Sequence, residues 1–218
     1  MPDWVTVRAA VERLGLIETG VTVADRLLGR IRGTVKTAGG RGGGALTFGA
    51  GSHVIGRRNI TFQGAFTCGR RCRIEAVTVH LATPYQPTLV FGHGVALSDD
   101  VHIACAQQVV LGTDVLIGSR VLITDHNHGQ YHGDAPTRPE EPPNRRALST
   151  APVIIGDNVW IGDLVTILPG TVIGSGCVIG ANSVVRGHVG PGQILAGAPA
   201  RTLRVFDPQR GQWVAAHD

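Results

Sequence analysis

The sequence predicts an all-β solenoid built of short parallel strands, and three observations carry that prediction. First, Ile155, Ile161, Ile167, Ile173, Ile179 and Val185 recur at every sixth position. Four residues after each comes something small or β-branched: Val159, Val165, Thr171, Cys177, Ser183 and Val189. A period of six fits neither an amphipathic helix nor a long alternating strand. It fits a coil in which each six-residue unit makes one strand and one corner, the large aliphatic filling the centre and the small residue packing behind it. Gly156, Gly162, Gly174 and Gly180 follow the aliphatic and are expected to take the tight corner. Second, the 218 residues contain 31 Gly, one Met and only 5% aromatics, which suits many corners around a thin core better than a helical globule. Third, the same step runs upstream in weaker form through Phe62, Cys68 and Ile74, and again through Phe91, Leu97 and Ile103.

Taken in order, the chain opens with two stretches of helix-like apolar spacing, 4–14 and 23–32, broken by Gly15, Gly20 and Gly33. They predict a short helical cap over the open end of the coil, where strand edges would otherwise stay unpaired. With TAGGRGGG at 37–44 as a flexible hinge, cap and hinge occupy residues 1–45. The coil is expected over 46–205. Pro84 and Pro87 mark a bulging turn within 77–89, and the step of eight from Ile103 to Leu111 implies a two-residue insertion. After Ile117 and Ile123 the period stops at Thr124 and resumes at Val153. The interruption, 124–152, is polar and carries five prolines and three histidines; so long a loop inside a compact repeat points to function. Residues 206–218 read as a tail, loosely ordered from 207 on.

Composition also excludes function classes. No run of about 18 apolar residues predicts a membrane span, and the N-terminus lacks a signal-peptide core. A net charge of +4 is compatible with an anionic cofactor or substrate and too diffuse to predict nucleic-acid binding. Charged residues at 17% are sparse for a monomer and point to faces buried in an oligomer. Cys68, Cys72, Cys105 and Cys177 read as reduced packing residues of a cytoplasmic protein, Cys177 and Cys72 at small inward positions, and no metal site is expected.

ITDHNHG at 123–129, VIIGDNVWIG at 153–162 and ILAGAPARTLR at 194–204, set on this repeat, resemble the hexapeptide-repeat acyltransferases. Within them the likeness is to the sugar O-acetyltransferase branch, which includes galactoside, maltose and nodulation-factor acetyltransferases. The resemblance covers roughly 46–205. It implies a left-handed parallel β-helix of triangular cross-section, a homotrimer, and direct transfer of acetyl from acetyl-CoA to a hydroxyl of a sugar, nucleotide-sugar or saccharide acceptor. It also implies a histidine base at the first His after the Thr124-Asp125 pair, which is His126. The chemistry is sound: an imidazole neutral at pH 7 takes the hydroxyl proton as the oxygen attacks the thioester.

Asp125, His128 and Asp99 are the expected acceptor-binding residues, with Ser98, Asp100 and Glu75 as further acidic or polar candidates. The acid that galactoside enzymes carry near Cys105-Ala106 is missing here. For the cofactor, the resemblance implies Trp160, Asp163, Ala181, Arg186, Gly187, Arg201 and Arg204, the two arginines near the nucleotide phosphates. Trp160 also suits a subunit seam. Three other readings stand beside this one. An N-acetyltransferase of a nucleotide-linked amino sugar would share coil and cofactor. A γ-class carbonic anhydrase would need a histidine pair five apart, which the loop lacks. A non-enzymatic scaffold would use the loop as a binding surface.

Overall fold

The computed structural model describes residues 24, 27–34 and 40–216. Three sheets of parallel strands form the faces of a left-handed β-helix. Sheet A has seven strands, running from Arg41–Gly42 through Ile60–Phe62, Thr88–Phe91, Gln108–Leu111, Val153–Ile155 and Val172–Ile173 to His188–Val189. Sheet B has nine, starting at Leu46–Phe48, of which the last two are paired antiparallel, and sheet C has six, starting at His53–Ile55. The six-step is the passage from one face to the next. Ile155 lies on A, Ile161 on B and Ile167 on C, and Ile173 returns to A in register with Ile155.

Every large aliphatic of that series is buried, and so is every residue four positions on, the hydroxyls of Thr171 and Ser183 included. Those hydroxyls donate to the carbonyls of Leu168 and Gly180, which offsets the cost of burying them. Cys72 and Cys177 hold the inward positions expected of them.

The corner divides its work between two positions. The residue after the aliphatic is Gly because the next turn passes close. A Cβ on Gly156 would lie 2.7 Å from the amide nitrogen of Ser175. The left-handed conformation falls two residues later, on Asn158, Leu164 and Asn182.

Turn length sets what fills the core. From Phe48 to its partner Cys68 is twenty residues, whereas from Ile155 to Ile173 is eighteen. The longer turns enclose a wider section, filled by Phe48, Phe62, Phe66 and Phe91 with ring centroids 4.8–6.3 Å apart.

Both ends depart from expectation. The stretch 4–14 lies outside the described residues. Residues 27–34 are helical and lie on the strand Leu46–Phe48, so close that a Cβ on Gly33 would sit 2.1 Å from the Leu46 carbonyl oxygen. Part of the expected hinge is strand instead. Arg41–Gly42 pairs with Thr61–Phe62, so the coil begins before residue 46.

The expected loose tail is ordered up to residue 216. The coil closes with a reversal, Gln193–Gly197 pairing antiparallel with Ala200–Asp207, which pairs in turn with Gln212–Ala215. Phe206 meets Trp213 edge-on at 5.4 Å, an aromatic pair that pins the last strand down.

Candidate active site

The three edges of the prism differ. The B–C edge is uniform: each corner runs through Gly51, Arg71, Asp100, Arg120, Leu164 and Asn182 in turn, all with positive φ. The C–A edge is irregular. One insertion leaves it after Ala76 and returns at Thr88, a second leaves after Thr124 and returns at Val153, and both are folded. The first forms a hairpin of Val79–His80 with Thr83–Pro84. The second pairs His126–His128 with Leu148–Thr150.

Asp125 starts the second insertion. It follows the strand Leu122–Thr124 in the inward phase of Ile123 and is wholly buried, at 0% exposure. Burying a bare carboxylate costs several kcal/mol unless its lone pairs are met. They are met at the neighbouring corner. Its Oδ1 accepts from the Ala106 amide at 2.8 Å, and its Oδ2 accepts from the amides of Gln107 and Gln108 at 2.7 Å each. Oδ1 also lies 2.9 Å from Nδ1 of His126. Burial pushes the carboxyl up, and the hydrogen bonds from His126 and the three amides outweigh it, leaving Asp125 below the ordinary carboxylate range.

An ionised carboxylate only accepts, so the proton of the neutral imidazole sits on Nδ1 and the lone pair on Nε2. The His126 side chain is 12% exposed, and Thr124 Oγ1 braces its backbone by accepting from the His126 amide at 3.3 Å. The arrangement orients the imidazole. Adjacent side chains on a strand normally point to opposite sides. These two meet because the coil turns its corner between them.

Asp125 therefore does not face an acceptor, contrary to expectation: it is sealed behind His126. Asp99 is not brought to His126 within one protomer. It sits on the B–C edge of the same chain, away from the C–A edge that holds His126, and its Oδ1 accepts from the Arg70 amide at 2.7 Å as a corner cap. Asp163 does the same for the Ser119 amide at 2.6 Å.

His128 is exposed on the strand of His126, as an acceptor contact requires. Trp160 is 53% exposed and stands outward on sheet B beside Leu116 and Val178. Ala181 is on the B–C edge with Asp163, whereas Arg186 and Gly187 are on the C–A edge, two coil turns beyond Thr124. Arg201 and Arg204 are exposed on the closing strand Ala200–Asp207. One protomer does not gather the expected cofactor contacts; it distributes them over two edges and the closing strand.

Two sets of contacts escaped the sequence reading, the second of them around the candidate Glu75. His80, on the first hairpin, reaches the second insertion: its Nε2–H donates to the Arg146 carbonyl at 3.0 Å, and its ring meets that of His128 edge-on at 5.1 Å. The two prolines at 84 and 87 marked a bulge, and nothing in the spacing tied that bulge to a loop 45 residues on. On sheet C, Glu75 is gripped by His102 Nε2 at 3.0 Å and by Arg73 at 2.7 and 2.9 Å. The His102 hydrogen bond outweighs burial, with help from Arg73, and holds Glu75 below the ordinary carboxylate range.

Residues 152–187 match the family described as bacterial transferase hexapeptide (six repeats). The chain is 41% identical over 159 residues to a putative lipopolysaccharide biosynthesis O-acetyl transferase, WbbJ, of Escherichia coli K12, spanning 72% of this chain and 78% of that one. This chain belongs to the hexapeptide-repeat acyltransferases. A hexapeptide-repeat acyltransferase on the sugar O-acetyltransferase branch is what the motifs around His126 and Trp160 led us to expect. The galactoside O-acetyltransferase of the same bacterium is 36% identical over 153 residues, 70% of each chain. Among solved structures, the N-acyltransferase AntD from Bacillus cereus, in complex with dTDP and 3-hydroxybutyryl-CoA, superimposes with a TM-score of 0.61. That match covers 82% of this chain and 90% of AntD at 18% identity, a likeness of fold. Among the described residues no group of His, Cys, Asp and Glu is arranged to hold a metal ion, and no helix is long and apolar enough to cross a membrane.

Proposed function

We propose that this acyltransferase transfers acetyl from acetyl-CoA to a hydroxyl of a sugar or saccharide, with His126 as the general base. The observation that carries the reading is the 2.9 Å bond from Nδ1 of His126 to a buried, ionised Asp125. It leaves Nε2 free to take a proton. As the acceptor oxygen attacks the thioester carbonyl, its proton passes to Nε2, and Asp125 stabilises the imidazolium that forms. The proton then leaves with the CoA thiolate as the thiol. Such a base is worth about 10²–10⁴ in rate.

Acetyl-CoA lies, on this reading, in a seam between subunits of a homotrimer. Trp160, Asp163 and Ala181 belong to sheet B and the B–C edge, and Arg186 and Gly187 to the C–A edge. A groove that uses both sets forms where the B–C edge of one protomer meets the C–A edge of the next. Arg201 and Arg204 are exposed near the coil's end, where charge-assisted bonds to the nucleotide phosphates suit guanidinium groups. The exposed indole of Trp160 gains burial in that seam. The enzyme is expected in the cytoplasm, where the donor is available.

The test is free-thiol release from acetyl-CoA over a panel of sugars and nucleotide sugars, for the wild type and His126→Ala. Turnover with hydroxyl acceptors that falls at least a hundredfold in the variant supports the reading. Turnover confined to amino sugars and unaffected by the variant would instead establish the N-acetyltransferase. Sedimentation equilibrium checks the trimer.

A further inference from the structure

His126 and His128 lie two apart on one strand and so share a face of the second insertion. Side chains so placed stand roughly 6.5–7 Å apart. His80 continues the line from the other insertion, its ring edge-on to His128. The two insertions are clamped together. Besides the bond from His80 to the Arg146 carbonyl, the Leu148 amide donates to the Tyr85 hydroxyl at 3.3 Å.

The turn that bears His80 is longer than the one after it. Phe62 pairs with Phe91 twenty-nine positions on, whereas Phe91 pairs with Leu111 after twenty. The added residues form the hairpin that meets the loop of the base. Among the described residues, the His128 ring has no hydrogen-bonding partner, and neither His80 nor His128 is paired with a carboxylate.

We propose that His126, His128 and His80 form one row that binds an uncharged pyranose through neighbouring hydroxyls, His126 deprotonating one, His128 holding the next, and His80 roofing the ring. This rests on His126 being the base, and it adds the substrate class. The span between His126 and His128 is one that hydrogen bonds to two adjacent hydroxyls bridge. An ammonium sugar finds no carboxylate in the row to pair with. A uronic acid finds no fixed cation in the row, since burial, followed by the neighbouring His80 and His126, lowers the proton affinity of His128.

The test compares wild type, His80→Gln and His128→Ala with methyl galactoside, methyl glucoside, methyl glucuronate and methyl glucosaminide. Acceptor binding is read by saturation-transfer NMR, and transfer by thiol release. His80→Gln keeps an amide donor for the Arg146 carbonyl, so the clamp survives while the ring is lost. We expect the neutral glycosides to receive saturation and the charged ones not. We also expect each variant to raise the acceptor KM about tenfold or more at an unchanged KM for acetyl-CoA. An unchanged acceptor KM in His80→Gln, or preference for the uronate or the amine, overturns the proposal. Binding of neutral glycosides that both variants abolish, with no thiol released by any protein, would sustain the row and remove the acetyl-transfer reading.

Discussion

Two edges of one prism show how this fold separates structure from chemistry. The B–C edge repeats six times with the same left-handed corner, and its acids, Asp99 and Asp163, cap backbone amides of the preceding turn. The C–A edge never settles into a repeat. Its two insertions carry His80, His126 and His128, and the corner between them is held by Asp125. The side chains that cap the B–C edge are engaged in closing corners. Where the period breaks, the capping carboxylate Asp125 also meets an imidazole. The difference teaches that an acid's neighbours, more than its presence on the coil, decide what it does.

Four predictions test that contrast. The largest effect is expected at the irregular edge: His126→Ala lowers kcat for thiol release by roughly 10²–10⁴ at unchanged affinity for CoA, read by calorimetry beside the assay. Next comes the shared core. Ile161, wholly buried, costs about 2–5 kcal/mol when truncated to Ala, measured by urea unfolding.

The third concerns pH. Asp125 binds its proton more weakly folded than unfolded, so its contribution is fully present above the ordinary carboxylate range. It is lost as pH falls through that range and below. Asp125→Asn should cost about 2–4 kcal/mol at pH 7 and flatten the acid limb of the stability–pH profile. The smallest effect belongs to the regular edge. Arg120 holds φ 58°, which Asn tolerates better, so Arg120→Asn should stabilise by roughly 0.5–1 kcal/mol and leave turnover alone.

Most of the coil was legible because each of its residues has one task set by one neighbour. Ile155 through Val185 announce their burial by spacing, and the break at Thr124 announces the candidate site by stopping it. His126 could be named because the loop motif places it. What spacing could not convey is contact between turns far apart in the chain. Asp125 is an acid beside a histidine in the sequence. Only the amides of Ala106, Gln107 and Gln108, brought up from the previous turn, reveal it as buried and turned inward. The contact of Asp99 with the Arg70 amide is hidden from the spacing for the same reason. His80 escaped because its partner is 48 residues away. The tail was misread because Phe206 and Trp213 are isolated aromatics in the sequence and an edge-on pair in space.

The most direct test sets the two edges against each other in one assay: thiol release at saturating acetyl-CoA for Asp125→Asn and Asp99→Asn, with CoA binding confirming the fold of both. The account predicts a loss of at least a hundredfold for Asp125→Asn and less than twofold for Asp99→Asn. Full activity in Asp125→Asn, or an equal loss in Asp99→Asn, would contradict it.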